Sequence, residues 1–64
     1  MAAVSPLVGQ TLRNIYLANY SEECPLDDAY LGVIWEHVGG GWEAAVALIR
    51  QCVRLKLPQG ELPS

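Results

Sequence analysis

Three consecutive glycines, Gly39 to Gly41, constrain the fold of this chain more than any other feature. Each glycine inside a helix costs about 1 kcal/mol relative to alanine, so a continuous helix through the run is disfavoured. Glycine also adopts left-handed backbone angles without strain, as a helix end requires. The run therefore predicts the turn of a helical hairpin. Apolar residues at helical spacing flank it: Tyr30, Val33, Ile34 and Val38 before, and Ala45, Val46, Ile49 and Val53 after.

Start signals divide the rest of the chain into helices. Ser5-Pro6 combines an N-cap residue with a proline at the first helical position. Pro25 is expected to open a second helix, with Asp27 and Asp28 in its first turn, where acidic side chains complement the helix dipole. The expected helices cover residues of about 6–19, 26–38 and 42–55.

The sequence predicts one all-α domain over residues 1–64, a three-helix fold with a C-terminal tail. No alternating β-branched run indicates a strand. The tail, 57–64, contains two prolines and a glycine, so we expect it to be extended and loose. A chain of 64 residues, 52% of them hydrophobic, is near the lower size limit for burying its apolar surface alone. We therefore expect a homo-oligomer, most simply a dimer, or a protein partner.

Composition also bears on compartment and partner class. The net charge of −3 argues against nucleic acid, which is bound by clustered Lys and Arg. No apolar run has the length of a membrane span, and the first residues lack the pattern of a signal peptide. The two cysteines fit free thiols in a reducing compartment. We expect a cytoplasmic protein with no membrane association.

The charges are segregated along the chain. Six acidic residues and no Lys or Arg lie between Ser21 and Glu43, whereas three basic residues follow in the third helix and just after it. In an antiparallel hairpin, Asp27 and Asp28 would lie near the level of Arg50 and Arg54. Two interpretations stay open: weak surface ion pairs, or an acidic patch that docks a basic partner.

The reactive side chains do not form a recognisable catalytic or metal-binding motif. Cys24 and Cys52 lack the spacing of a metal knuckle, and Cys52 lies on the apolar stripe of the third helix. A disulfide between them is geometrically conceivable, but two separate thiols explain the pattern better. His37 lies near a helix C-terminus, where the dipole favours it. We predict no catalytic residue, no metal and no cofactor, and therefore no enzyme.

The aromatic residues give the best indication of function. All five are Trp or Tyr, the types enriched in interface centres because they bury much area and keep a polar group. Trp35 and Trp42 flank the glycine turn, and Glu43 follows them, whereas Tyr16 and Tyr30 are better explained as core. The candidate partner-binding residues are Trp35, Trp42, Leu31, Glu43, Asp27 and Asp28.

The pattern as a whole predicts a small interaction module that binds a larger protein as an inhibitor, adaptor or accessory subunit. Products of phages and mobile elements that block host proteins are commonly small and acidic, although no motif here supports such an origin. The main alternative is a small dimeric helix-turn-helix regulator that binds DNA. The N-terminal turn of its reading helix, however, would carry Trp42 and Glu43 in place of basic residues. A third class, a structural subunit of a larger complex, predicts poor solubility of the isolated chain.

Overall fold

The computed structural model describes residues 3–64 and shows three helices: α1 (Pro6–Tyr20), α2 (Asp28–Val38) and α3 (Trp42–Leu55). No strand occurs in this range, so the predicted all-α class with three helices is confirmed. The first two positions of the predicted domain, residues 1–2, lie outside the described range. Over residues 3–64, no helix combines the length and apolar character that crossing a membrane requires.

Helix α1 begins as its cap signal predicts. Ser5 has extended backbone angles, and its hydroxyl accepts a hydrogen bond from the Val8 N–H at 3.3 Å. Pro6 occupies the first helical position. The helix ends where Ser21 adopts a left-handed conformation and donates its N–H to the Leu17 carbonyl at 2.9 Å.

Helix α2 starts at Asp28, so the prediction that Pro25 opens it was wrong. Asp27 is the N-cap, since its Oδ1 accepts from the Tyr30 N–H at 2.9 Å. The preceding residues stay outside the helix, and the Arg13 guanidinium binds the Leu26 carbonyl at 3.1 Å. A side-chain acceptor therefore sets this boundary, and proline does not. Asp28 lies in the first turn as expected.

The glycine run forms the predicted turn. Gly39 and Gly40 have φ angles of 69° and 88°, both in the left-handed region. Their N–H groups donate to carbonyls in the last turn of α2, Gly39 to Glu36 and Gly40 to Trp35, each at 3.3 Å. Gly41 returns to φ −82° and starts α3 as its N-cap. The hairpin therefore turns within three residues.

The core lies where the three helices meet. Its fully buried side chains of largest volume include Leu12 and Tyr16 from α1, Tyr30, Leu31 and Ile34 from α2, and Ile49 from α3. The two buried tyrosines keep hydrogen-bond partners for their hydroxyls, which removes the cost of burying them. No buried side-chain N or O atom in residues 3–64 lacks a partner.

The C-terminal tail is irregular but anchored, so the expectation of a loose segment was wrong. Leu57 and Leu62 pack against the core. The buried Tyr30 hydroxyl donates to the Glu61 carbonyl at 2.6 Å, and the Gln59 amide donates to Asp27 at 2.6 Å. Prolines prevent this segment from forming a helix, but they do not prevent it from packing.

Candidate functional site

The glycine turn brings the two tryptophans together. Trp35 lies in the last turn of α2 and Trp42 is the first residue of α3, and their ring centroids are 4.6 Å apart with the planes inclined by 50°. Trp42 is 41% exposed, whereas Trp35 is half-buried against the core. The exposed indole is therefore supported by a second one, which is itself fixed by core packing.

Trp42 also lines a groove of about 260 Å³ between α1 and α3. The walls are mostly apolar, and the polar groups are the Asn19 amide, the Tyr20 hydroxyl and the Glu43 carboxylate. The amide is already engaged, because its Nδ2 donates to the Ile15 carbonyl at 2.8 Å. We call this feature the tryptophan groove; it is lined by Ile15, Asn19, Tyr20, Trp42, Glu43, Val46 and Ala47.

Arg50 fixes the aromatic side chains beside the groove. Its Nη1 donates to the Tyr16 hydroxyl at 2.9 Å and to Glu22 Oε1 at 2.8 Å. The guanidinium carbon lies 4.4 Å from the centroid of Tyr20, within cation–π range. The hydrogen bond to Glu22, and then that to Tyr16, raise the pKa of Arg50 above its ordinary value. The contact with Arg50 therefore positions the Tyr20 ring, which lines the groove.

The groove brings together only part of the predicted site. Trp42 and Glu43 line it, and Trp35 supports it. Leu31 is fully buried, so its assignment to a partner surface was wrong: it lies on the stripe of α2 that faces the core.

The two aspartates are used within the fold and do not line the groove. Asp27 caps α2, and the hydrogen bonds from the Tyr30 N–H and then from Gln59 lower the pKa of its carboxyl group. Asp28 pairs with Arg13 at 2.7 Å. Neither aspartate therefore pairs with Arg50 or Arg54, the arginines expected at the same level of the hairpin. Their partners are Arg13 of α1 and Gln59 of the tail.

Sequence reasoning missed the contribution of α1 to the groove. Ile15, Asn19 and Tyr20 belong to α1, and no local pattern shows which side of α3 they face. One sequence signal pointed to an aromatic surface on α1: Tyr16 and Tyr20 are four positions apart, so they lie on one face of the helix. In the structure their rings lie 4.8 Å apart.

The remaining reactive side chains lie elsewhere. Cys24 and Cys52 are both free thiols, and burial raises the pKa of Cys24, which disfavours a nucleophilic thiolate. His37 is exposed in the last turn of α2. Within residues 3–64, no three His, Cys, Asp or Glu side chains cluster as metal ligands would.

Cys24 belongs to a more polar pocket of about 440 Å³ beside α1. Several of its polar groups already bind other parts of the chain. Gln10 donates to Asn14 at 3.0 Å, and Arg13 pairs with Asp28 and donates to the Leu26 carbonyl. The tryptophan groove is therefore the better candidate for recognition, because its main surface is an exposed aromatic side chain.

The chain matches no protein-family model, no curated protein and no solved structure at a significant level.

Proposed function

We propose that this protein is a small non-enzymatic interaction module that binds a larger protein partner through the tryptophan groove. Its role would be that of an inhibitor, an adaptor or an accessory subunit. We place this activity in the cytoplasm, in keeping with the two free thiols.

The observation that carries the proposal is an exposed indole, that of Trp42, which packs against a second, half-buried indole. Trp is among the residues most enriched at energetic centres of interfaces. Binding normally costs free energy because interface side chains lose rotational freedom. Here Trp42 packs against Trp35 in a tilted contact, and it starts a helix whose position the glycine turn fixes. Much of that ordering is therefore complete before a partner arrives.

The dimensions of the groove favour a protein side chain over a small metabolite. Small-molecule sites enclose roughly 300–1,000 Å³ and bury most of the ligand. The tryptophan groove has about 260 Å³ and is open to solvent. It suits one or two apolar side chains of a partner. Glu43 lies at the edge of the groove, so a matching partner carries a Lys or Arg beside those apolar side chains.

The DNA-binding alternative gains no support from the placement of charge. The first turn of α3 presents Trp42 and Glu43, and Arg54 is at the opposite end of the helix. A reading helix needs groups near its N-terminus that bind phosphate or base edges.

Substitution of Trp42 tests the proposal. Trp42→Ala and wild-type protein would be immobilised at equal density, and capture from a lysate of the native host would be quantified by mass spectrometry. We expect at least one protein to be captured by the wild type and retained at least about 10-fold less by Trp42→Ala, the loss typical of an interface hot spot. Circular dichroism should show unchanged helix content in the variant.

Leu7→Ala is the matched control. Leu7 is 78% exposed in the first turn of α1 and does not line the groove, so its removal tests for nonspecific adhesion to apolar surface. Leu7→Ala should retain the captured protein. Equal retention by Trp42→Ala would overturn the assignment of the groove as the binding site.

A further inference from the structure

The outer face of α3, opposite its core-facing side, is incompletely covered. We use this name for Ala44, Ala47, Leu48, Gln51 and Leu55, together with the charged residues at its edge, Glu43 and Arg54. Leu55 is 54% exposed, whereas Leu48, at the edge of this face, is half-buried and packs partly against the core. The tail packs on the core side of the helix, where Glu61 approaches Cys52, and leaves Leu55 uncovered.

The charges on this face are arranged in a distinctive way. Glu43 and Arg54 are eleven positions apart, about three helical turns, so they lie on the same side of α3. They are separated by about 16 Å along the axis, too far to pair with each other. Both are exposed, and neither forms an ion pair with any residue in the range 3–64. They are equally distant from the helix midpoint, which falls between Leu48 and Ile49.

We propose that the outer face of α3 binds the same face of a second copy of this chain, with the two α3 helices antiparallel about a two-fold axis. Because the two charges are equidistant from the midpoint, this arrangement places Glu43 of each copy opposite Arg54 of the other. Two equivalent ion pairs form at once. In an isologous dimer every contact occurs twice, so a face that carries both partners of a pair is self-complementary.

The apolar residues fit the same arrangement. Leu48 and Leu55 lie along the other edge of the outer face, away from the charged edge. In an antiparallel pair, Leu55 of one copy lies near Ala44 of the other, and the exposed parts of the two Leu48 side chains approach each other near the axis. A parallel pair would place the two Glu43 side chains at the same end and align the helix dipoles unfavourably. Charge therefore selects the antiparallel arrangement.

This dimer does not depend on the proposed partner-binding function. The outer face of α3 adjoins the tryptophan groove and shares Glu43 and Ala47 with it, but Arg54 and Leu55 lie outside the groove. Substitutions at these two positions therefore distinguish the two proposals.

Charge exchange tests the dimer directly. Glu43→Arg and Arg54→Glu each convert both ion pairs into like-charge contacts. Since both exposed ion pairs are lost together, each variant should weaken the dimer on the order of 10-fold in dissociation constant, as measured by sedimentation equilibrium. An equimolar mixture of the two variants should form a heterodimer of wild-type strength, because both contacts again join opposite charges.

The controls separate this pairing from general effects of charge and folding. Glu36→Arg alters an exposed acid on α2 outside the face and should leave the dissociation constant unchanged. Leu55→Ala keeps a good helix former in α3 and removes the exposed part of the leucine side chain, so it should weaken the dimer while circular dichroism of the dilute monomer shows unchanged helix content. A wild-type chain that stays monomeric at about 1 mM, where even weak specific dimers form, would overturn the proposal. So would a mixture of charge variants that associates no better than either variant alone.

Discussion

At the scale of single residues, Gly40 shows how one backbone angle fixes the hairpin. Its φ of 88° belongs to the left-handed region, which a β-branched residue rarely adopts. A Cβ built at this position would be 3.7 Å from the Trp35 ring, an ordinary contact, so the strain of a substitution comes from the backbone. Gly40→Val should therefore lower the free energy of unfolding by about 1–3 kcal/mol, measured by urea denaturation.

Gly41→Ser provides the matched control for that substitution. Gly41 has φ −82° and is the N-cap of α3, a position that serine favours. This variant should be as stable as the wild type or slightly more stable. If Gly40→Val melted with the wild type, the left-handed turn would not be required.

Tyr30 gives the fold a dependence on alkaline pH. Burial of the phenol, followed by its contacts with Cys52 and Glu61, raises the pKa of Tyr30 to about 12, above its ordinary value of 10. Between these two values the native state keeps a proton that the unfolded chain loses. The free energy of unfolding therefore falls as the pH rises, by about 1.4 kcal/mol per pH unit from this group.

The comparison with Tyr30→Phe isolates this effect. The stability difference between wild type and variant should be constant below about pH 10 and should decrease from there toward pH 12. Urea denaturation at several pH values measures it. A difference that does not change across this range would mean that the phenol is not buried as described.

At the scale of elements, the tail acts as a fourth packing unit. It supplies Leu62 to the core and a carbonyl acceptor to Tyr30. Truncation after Leu57 should therefore lower the free energy of unfolding by about 1–3 kcal/mol, because it removes one partly buried leucine, the buried hydrogen bond from Tyr30 to Glu61 and the exposed one from Gln59 to Asp27. Removal of the exposed Ser64 alone should have no effect. Equal melting of the truncated and full chains would restore the expectation of a loose tail.

The elements that sequence predicted well are those set by local chemistry. Ser5-Pro6 and the glycine run define helix ends through their own backbone preferences, and both were read correctly. The start of α2 was misplaced because the capping by Asp27 competes with the proline signal. The docking of the tail was missed because it depends on a hydrogen bond between residues 30 and 61, which no local pattern indicates.

At the scale of the whole molecule, the groove exists only because α1 packs beside α3. Trp42 and Glu43 were already candidate binding residues from the sequence, because an aromatic residue beside a turn and its neighbour can be found from local sequence. Ile15 and Tyr20 were not, because the side of α3 that α1 covers is set by packing among all three helices. Leu31 was assigned to the surface for the converse reason: its burial depends on two neighbouring helices.

Different substitutions distinguish the two proposed modes of association. The Trp42 substitution predicts loss of a protein partner, whereas the exchange at Glu43 and Arg54 predicts loss and recovery of a dimer. Their surfaces meet along α3, so a partner that inserts deeply beside Glu43 competes with self-association. Partner affinity would then depend on the concentration of the chain itself.

The contact between the two indoles has an optical consequence. Trp35 and Trp42 are the only tryptophans in the chain, and they occupy a single location. Under excitation selective for tryptophan, all emitted light therefore originates at the hairpin tip. Its wavelength and quenching therefore report occupancy of the adjoining groove without any attached dye.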